Sequence, residues 1–204
     1  FHSISEGIDP GDREQIRSLG ELKLPRDLEF GLELQEQVAR APILLRYRIL
    51  QSGRWVLVRS RYVGTDYSKL RGGNYFAHSL IGDPEDLRHW PVDFVDWPHW
   101  QQRLERDDGQ PPPPLDPVDL DDVAPPARLA LEALAGFLSA DGSRTELLAR
   151  MIRATLLRAE TDRSILIRDP GSQGLTWVAC IQKAFPRQAA LHLSFCTYQR
   201  DVYG

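Results

Sequence analysis

The chain has 204 residues, 42% of them hydrophobic and 26% charged, and a formal net charge of -4, a composition that excludes wholesale disorder, collagen-like repeats and a disulfide-stapled miniprotein. No apolar run approaches the roughly 20 residues of a membrane-spanning helix, and the acidic total argues against a surface given over to nucleic acid. Cys180 and Cys196 sit in apolar surroundings and read as buried free thiols of a cytosolic protein. The chain opens on Phe1, its single methionine is Met151, and nothing near residue 1 has the form of a signal peptide, so it reads as a piece of a longer protein. Of its 25 basic residues, all but Lys23, Lys69 and Lys183 are arginine, the planar, bidentate binder of anions.

In chain order, Asp9-Pro10 predicts an N-cap and first helical residue, with Ile16 and Leu19 as apolar stripe and Gly20 as stop. A second short helix is predicted over Leu28 to Ala41. From Ile43 the apolar period becomes two, and the runs around Gln51-Ser52-Gly53-Arg54 predict a β-hairpin. Arg71-Gly72-Gly73-Asn74 leads into a third strand over Tyr75 to Ile81, completing an antiparallel meander. Trp90-Pro91 and Trp97-Pro98-His99-Trp100 oppose a regular helix and predict an irregular strap across the sheet. Residues 107–126 hold six aspartates, four consecutive prolines and no basic residue, the composition of an extended linker. Beyond it, Pro125-Pro126 launch one helix and Ser143-Arg144-Thr145-Glu146 has the capping-box pattern of another. A strand over Ser164 to Arg168, a helix over Gly174 to Ala184 and a strand over Ala190 to Tyr198 predict a parallel, buried β-α-β unit. The expected fold is α+β: a meander lobe over 1–106, a linker over 107–126, and a helical and β-α-β lobe over 127–204, with one mixed sheet as a possible common element.

Four arginines form the most informative pattern. A hairpin turn of two or four residues places Arg46 opposite Arg59, with Arg48 and Arg61 on the same face, where like charges oppose one another. Carboxylates of the chain itself, from Glu33, Glu36 or the linker, would offset them; so would an acidic or phosphate-bearing partner. A turn of three residues would split the arginines between the two faces. Asp66, Tyr67, Asn74 and His78 stand at adjacent strand ends, and a histidine oriented by a carboxylate is how a general base is built; structural or ligand-binding roles are the alternative. Trp90, Trp97 and Trp100 read as sheet cover or as a partner-binding ridge. His89 and His99 lack metal-ligand spacing, the cysteines form no CxxC, and no metal or cofactor is expected. The loop Asp169 to Gly174 lacks the lysine and spacing of a phosphate-binding loop.

The opening Phe1-His2-Ser3-Ile4-Ser5-Glu6-Gly7, the blocks Arg59 to Tyr67 and Gly73 to Leu80, the Trp-Pro segment, and the closing Leu193 to Asp201 resemble the N-terminal domain, type 2, of GTPase-associated protein 1. The resemblance implies a bacterial protein encoded beside a GTPase in a conflict or defence system, and carries no catalytic residues across. The expected function is a non-enzymatic, cytoplasmic recognition or regulatory module that engages an associated GTPase or another protein of that system, without membrane contact. The alternatives are a hydrolase of a phosphate-containing substrate, with His78 as base, Asp66 as its orienter and Arg59 or Arg61 on the anion, and a nucleic-acid-binding module using the same arginines.

Overall fold

The computed structural model describes residues 4–29, 32–65, 72–102, 114–158, 164–168 and 173–200. The fold is α+β, as expected, around an antiparallel four-stranded sheet of order β3-β2-β1-β4. Its strands are β1 (Leu44–Ile49), β2 (Trp55–Thr65), β3 (Gly72–Gly82) and β4 (Phe195–Cys196).

The β1–β2 hairpin sets the register. Leu50 N–H donates to the Arg54 carbonyl at 2.8 Å and Gly53 N–H to the Leu50 carbonyl at 3.0 Å, so the loop is Gln51-Ser52-Gly53. Gly53 has φ 86°, the left-handed conformation that a three-residue hairpin loop requires and that glycine adopts without a Cβ penalty. Ile49 then pairs with Trp55, Arg46 with Val58 and Leu45 with Arg59. Paired residues share a face and successive ones alternate, so Arg46 and Arg48 lie on one face and Arg59 and Arg61 on the other. The four-arginine face expected for an even turn does not form.

On the Arg46 face, Val56 and Val58 pack against Ile16 and Leu19 of α1 (Pro10–Leu19), while Leu44 and Tyr62 pack against Leu22 and Leu24. Helix α1 begins as its sequence predicts, with the Asp9 carboxylate accepting from Gly11 N–H at 2.7 Å and Pro10 in the first turn. The single helix expected over Leu28 to Ala41 is instead two, α2 (Arg26–Glu29) and α3 (Leu34–Arg40), and Glu33, the N-cap of α3, is extended with φ -64° and ψ 149°. On the opposite face Leu45, Tyr47, Trp55 and Leu57 are buried, each contributing about 1.5–3 kcal/mol by leaving water. Trp55 donates its indole N–H to the Asp83 carbonyl at 2.8 Å.

Among the described residues the predicted β-α-β unit does not form. Ser164 to Arg168 belongs to no strand, 187–190 is the short helix α7 (Arg187–Ala190), and only Phe195–Cys196 is extended in a ladder. That ladder is antiparallel to β1, so the common sheet is antiparallel, not mixed. The apolar run from Ala190 therefore serves two purposes, a helical turn and then an edge strand, which continuous hydrophobicity cannot separate.

The chain packs as two compact units that are not sequential. One comprises residues 1–87, 98–122 and 194–204; the other comprises 88–97 and 123–193. The second unit is helical: α4 (Leu131–Ser139), α5 (Gly142–Arg158) and α6 (Gly174–Lys183) join short 3-10 turns at Pro91–Asp96 and Ala127–Leu129. Asp141, rather than Ser143, caps α5: its Oδ1 accepts from Ser143 N–H and Oγ at 2.9 and 2.8 Å, and those bonds hold the carboxyl below its usual pKa. Within this unit a buried ion pair joins Lys183 Nζ to Asp93 Oδ1 at 2.8 Å, with side chains 5% and 3% exposed. The same ammonium donates to the Leu129 carbonyl at 2.9 Å and lies 5.5 Å from the Trp90 ring centre.

Two substitutions test this packing. A Cβ on Gly82 would stand 2.6 Å from Trp55 Cζ2, so Gly82→Ala is expected to displace a buried indole and to cost about 1–3 kcal/mol in chemical denaturation. Asp93→Ala strands a buried ammonium and is expected to cost about 3–5 kcal/mol, whereas a loss below about 1 kcal/mol would show the pair to be solvated.

Candidate functional site

The clearest cluster of the residues marked out by sequence lies on the face opposite Arg46. β2 presents Arg59 and Arg61 there as next-but-one neighbours, and β3 places His78 opposite Arg59. Residues 98–102 run over this part of the sheet. Gln102 Oε1 accepts from Arg59 Nη1 at 3.2 Å and from Arg61 Nη1 at 2.8 Å. The Trp100 ring stands edge-on to His78, with centroids 5.3 Å apart and planes at 89°. Gln101 N–H donates to His78 Nδ1 at 3.0 Å. Residues 98–102 thus form the last part of the strap expected over Trp90 to Trp100 and its continuation to Gln102, fastened by three side chains of the sheet, Arg59, Arg61 and His78.

This geometry assigns His78 a tautomer. Nδ1 is an acceptor, so the neutral ring carries its proton on Nε2. Burial, and after it the Arg59 guanidinium, lower its pKa from 6.5 to about 4. At neutral pH the imidazole is uncharged and its basic nitrogen is engaged by the strap, an arrangement that anchors a segment rather than one that abstracts a substrate proton. Asp66 and Tyr67, the expected companions of His78, lie outside the described residues. Asn74 is half-buried at the irregular end of the β2–β3 ladder, where it pairs with Gly64.

The other sequence candidates are dispersed. Arg46 is a structural tie: its guanidinium donates to the Leu19 carbonyl at 3.0 Å and to Gln199 Oε1 at 3.3 Å, and contacts Cys196 Sγ at 3.6 Å. These acceptors are a carbonyl, an amide and a sulfur in place of the carboxylates expected from Glu33, Glu36 or the linker. Arg48 is exposed on that same face. Trp97 and Trp100 are buried and Trp90 is half-buried, so the aromatic segment fills interiors and does not stand as a ridge of exposed rings. Cys180 is a buried free thiol whose pKa burial raises to about 11, and Cys196 is a half-buried one. Among the described residues no group of His, Cys, Asp and Glu is arranged to hold a metal ion, and no helix is long and apolar enough to cross a membrane.

Sequence reasoning did not anticipate an open cavity of about 550 Å³ on the Arg46 face, lined in part by Lys23, Glu29, Gln37, Tyr62, Tyr75 and Arg200. Its polar groups largely satisfy one another. Arg200 binds the Glu29 carboxylate and the Leu24 carbonyl, and the Tyr62 hydroxyl donates to Gln37 Oε1 at 3.2 Å. Burial and the nearby Glu21 charge raise the pKa of the Tyr75 phenol, so it stays a neutral donor. The cavity assembles from stretches far apart in the chain, and of its lining only Tyr62, Tyr75 and Arg200 fall in blocks that the sequence had singled out.

Comparison with protein families adds the decisive observation. The model of the GTPase-associated protein 1 N-terminal domain, type 2, matches residues 1–118, and that of the GTPase-associated protein 1 middle domain matches residues 133–204. The chain belongs to the GTPase-associated protein 1 family. It carries the end-to-end succession of that family's N-terminal and middle domains, and the interval between the two matches, 119–132, contains the last of the acidic stretch and the start of the helical unit. No match to the chain exists among the curated proteins or the solved structures compared with it.

The His78 latch yields a pH test. With a folded pKa near 4 against 6.5 for the unpaired side chain, the unfolded chain takes up the proton first as pH falls. The contribution is intact above about pH 6.5 and is lost on the way to pH 4, by on the order of 3 kcal/mol. His78→Asn, which keeps an acceptor for Gln101 N–H, is expected to flatten that slope; equal slopes in wild type and variant, measured by denaturation from pH 7 to 4, would refute the assignment.

Proposed function

We propose that the chain is a non-enzymatic recognition module of a bacterial GTPase-linked conflict system, and that it engages the associated GTPase through the arginine pair beside the strap. The observation that carries this reading is membership, over two successive domains, in a family named for its association with a GTPase. The arginine pair supports the choice of surface. Gln102 Oε1 accepts from both guanidiniums and so holds the two side chains next to one another. A carboxylate on a partner is the acceptor that paired guanidiniums bind in bidentate, charge-assisted geometry. Residues 43–72 carry seven basic residues against one acidic one, a local positive field that steers an acidic partner to this region.

The test separates recognition from folding. Arg59→Glu with Arg61→Glu is expected to weaken capture of the GTPase encoded beside this gene at least tenfold, about 1.4 kcal/mol, in a chain that keeps its circular dichroism spectrum although the bonds to Gln102 are lost. Arg46→Glu, by contrast, is expected to lower the melting temperature, because Arg46 ties α1 to the C-terminal segment. Capture by the double variant equal to that by wild type would overturn the choice of surface.

A further inference from the structure

The hairpin register also dictates which backbone groups of β3 face outward. Hydrogen-bonded and non-hydrogen-bonded pairs alternate along an antiparallel ladder. The Leu50–Arg54 bond closes the hairpin, so Val56, Val58 and Ser60 turn their backbone groups towards β1. Trp55, Leu57, Arg59 and Arg61 turn theirs towards β3, where they meet Gly82, Leu80, His78 and Phe76. The far edge is consistent: Leu45, out of phase with Arg46, bonds Thr197 through both its N–H and its carbonyl. It follows that Tyr75, Ala77, Ser79 and Ile81 aim their N–H and C=O groups away from the sheet.

The two edges of this sheet differ. β4 is two residues long, and brevity is one of the ways in which natural sheets protect an edge. β3 is eleven residues long and from Gly72 to Gly82 contains no charged residue and no proline, so it lacks three of those protections, brevity, charge and proline. Tyr75 is 37% exposed and Ala77 is exposed. Among the described residues no backbone group pairs with the outward groups of Tyr75, Ala77, Ser79 or Ile81.

We propose that β3 is a self-association edge, on which a second copy of this chain adds its own β3 antiparallel about a two-fold axis at His78. The four outward positions are symmetric about residue 78, so this register matches every one of them: Tyr75 bonds Ile81 of the second copy, and Ala77 bonds Ser79. Across the same ladder Tyr75 stands beside Ile81 and Phe76 beside Leu80, the aromatic-aliphatic pairings that favour cross-strand contact. No like charges meet, which charged edge residues would have ensured. The interface is isologous and closes on itself, joining two four-stranded sheets into one. A charged peptide finds nothing on β3 to recognise it, whereas the strand is its own complement.

Light scattering on the 204-residue chain, with a protomer mass of 23.2 kDa, is expected to give twice that mass at micromolar concentration. Ala77→Lys sets two ammonium groups diagonally across the axis at an exposed position, and is expected to give the protomer mass with an unchanged circular dichroism spectrum. Ala77→Pro deletes one outward donor and is expected to do the same; if it unfolds, the lysine variant alone carries the reading. Amide exchange at Tyr75, Ala77, Ser79 and Ile81 is expected to be at least tenfold slower in wild type than in Ala77→Lys. A wild-type chain that is monomeric throughout the micromolar range, including one whose β3 instead takes up a strand from another protein, overturns the proposal. So does a dimer whose mass persists in folded Ala77→Lys, or one in which these four amides exchange as fast as in that variant.

Discussion

The three-residue turn Gln51-Ser52-Gly53 is the constraint on which the first unit depends. In a β-strand a shift of one residue moves every side chain to the other face, and this turn, held by the positive φ of Gly53, selects one of the two parities for the whole meander. It buries Val56 and Val58 against α1 and Trp55 and Leu57 on the other face. It also separates the arginines. Arg46 becomes an internal tie between α1 and the C-terminal segment, and Arg59 and Arg61 become the strap's fastening.

The strap and its receptor surface explain one another. A guanidinium pair on adjacent outward positions of one strand is unfavourable without an acceptor, and the chain supplies one from Gln102, placed there by Trp100 packing on His78 and by Gln101 bonding its ring. Three successive residues of the strap thus each contact the sheet by a different means: an aromatic edge, a backbone donor and a side-chain amide. The parity that sets Arg46 against α1 also turns the backbone groups of Tyr75, Ala77, Ser79 and Ile81 away from β2.

Much of this architecture was legible in sequence. The Asp9-Pro10 helix start, the three meander strands, the irregular Trp-Pro segment and the helices at 131–158 and 174–183 follow from period, capping and proline chemistry. The failures have definite causes. The β-α-β unit was inferred from apolar runs, but hydrophobic content does not distinguish a short helix followed by an edge strand from one buried strand. The arginine face was inferred from an even turn length, while the actual register depends on a single backbone angle at Gly53. The cavity lined by Tyr62, Tyr75, Gln37 and Arg200 was invisible because its walls come from segments far apart in the chain.

By itself the sequence determined the kinds and approximate limits of local elements, the positive charge concentrated in residues 43–72, and the resemblance to the GTPase-associated protein 1 family, because these depend on neighbours in the chain and on residue identity. Only the tertiary structure decided which arginines share a face, that His78 accepts a bond from the strap, that Phe195–Cys196 closes one edge of the sheet while β3 ends the other, and that the Trp-Pro residues are divided between two compact units. Each of those outcomes turns on register or on packing between distant segments. Such quantities are set by the summed burial of many side chains, and no local pattern of residues encodes them.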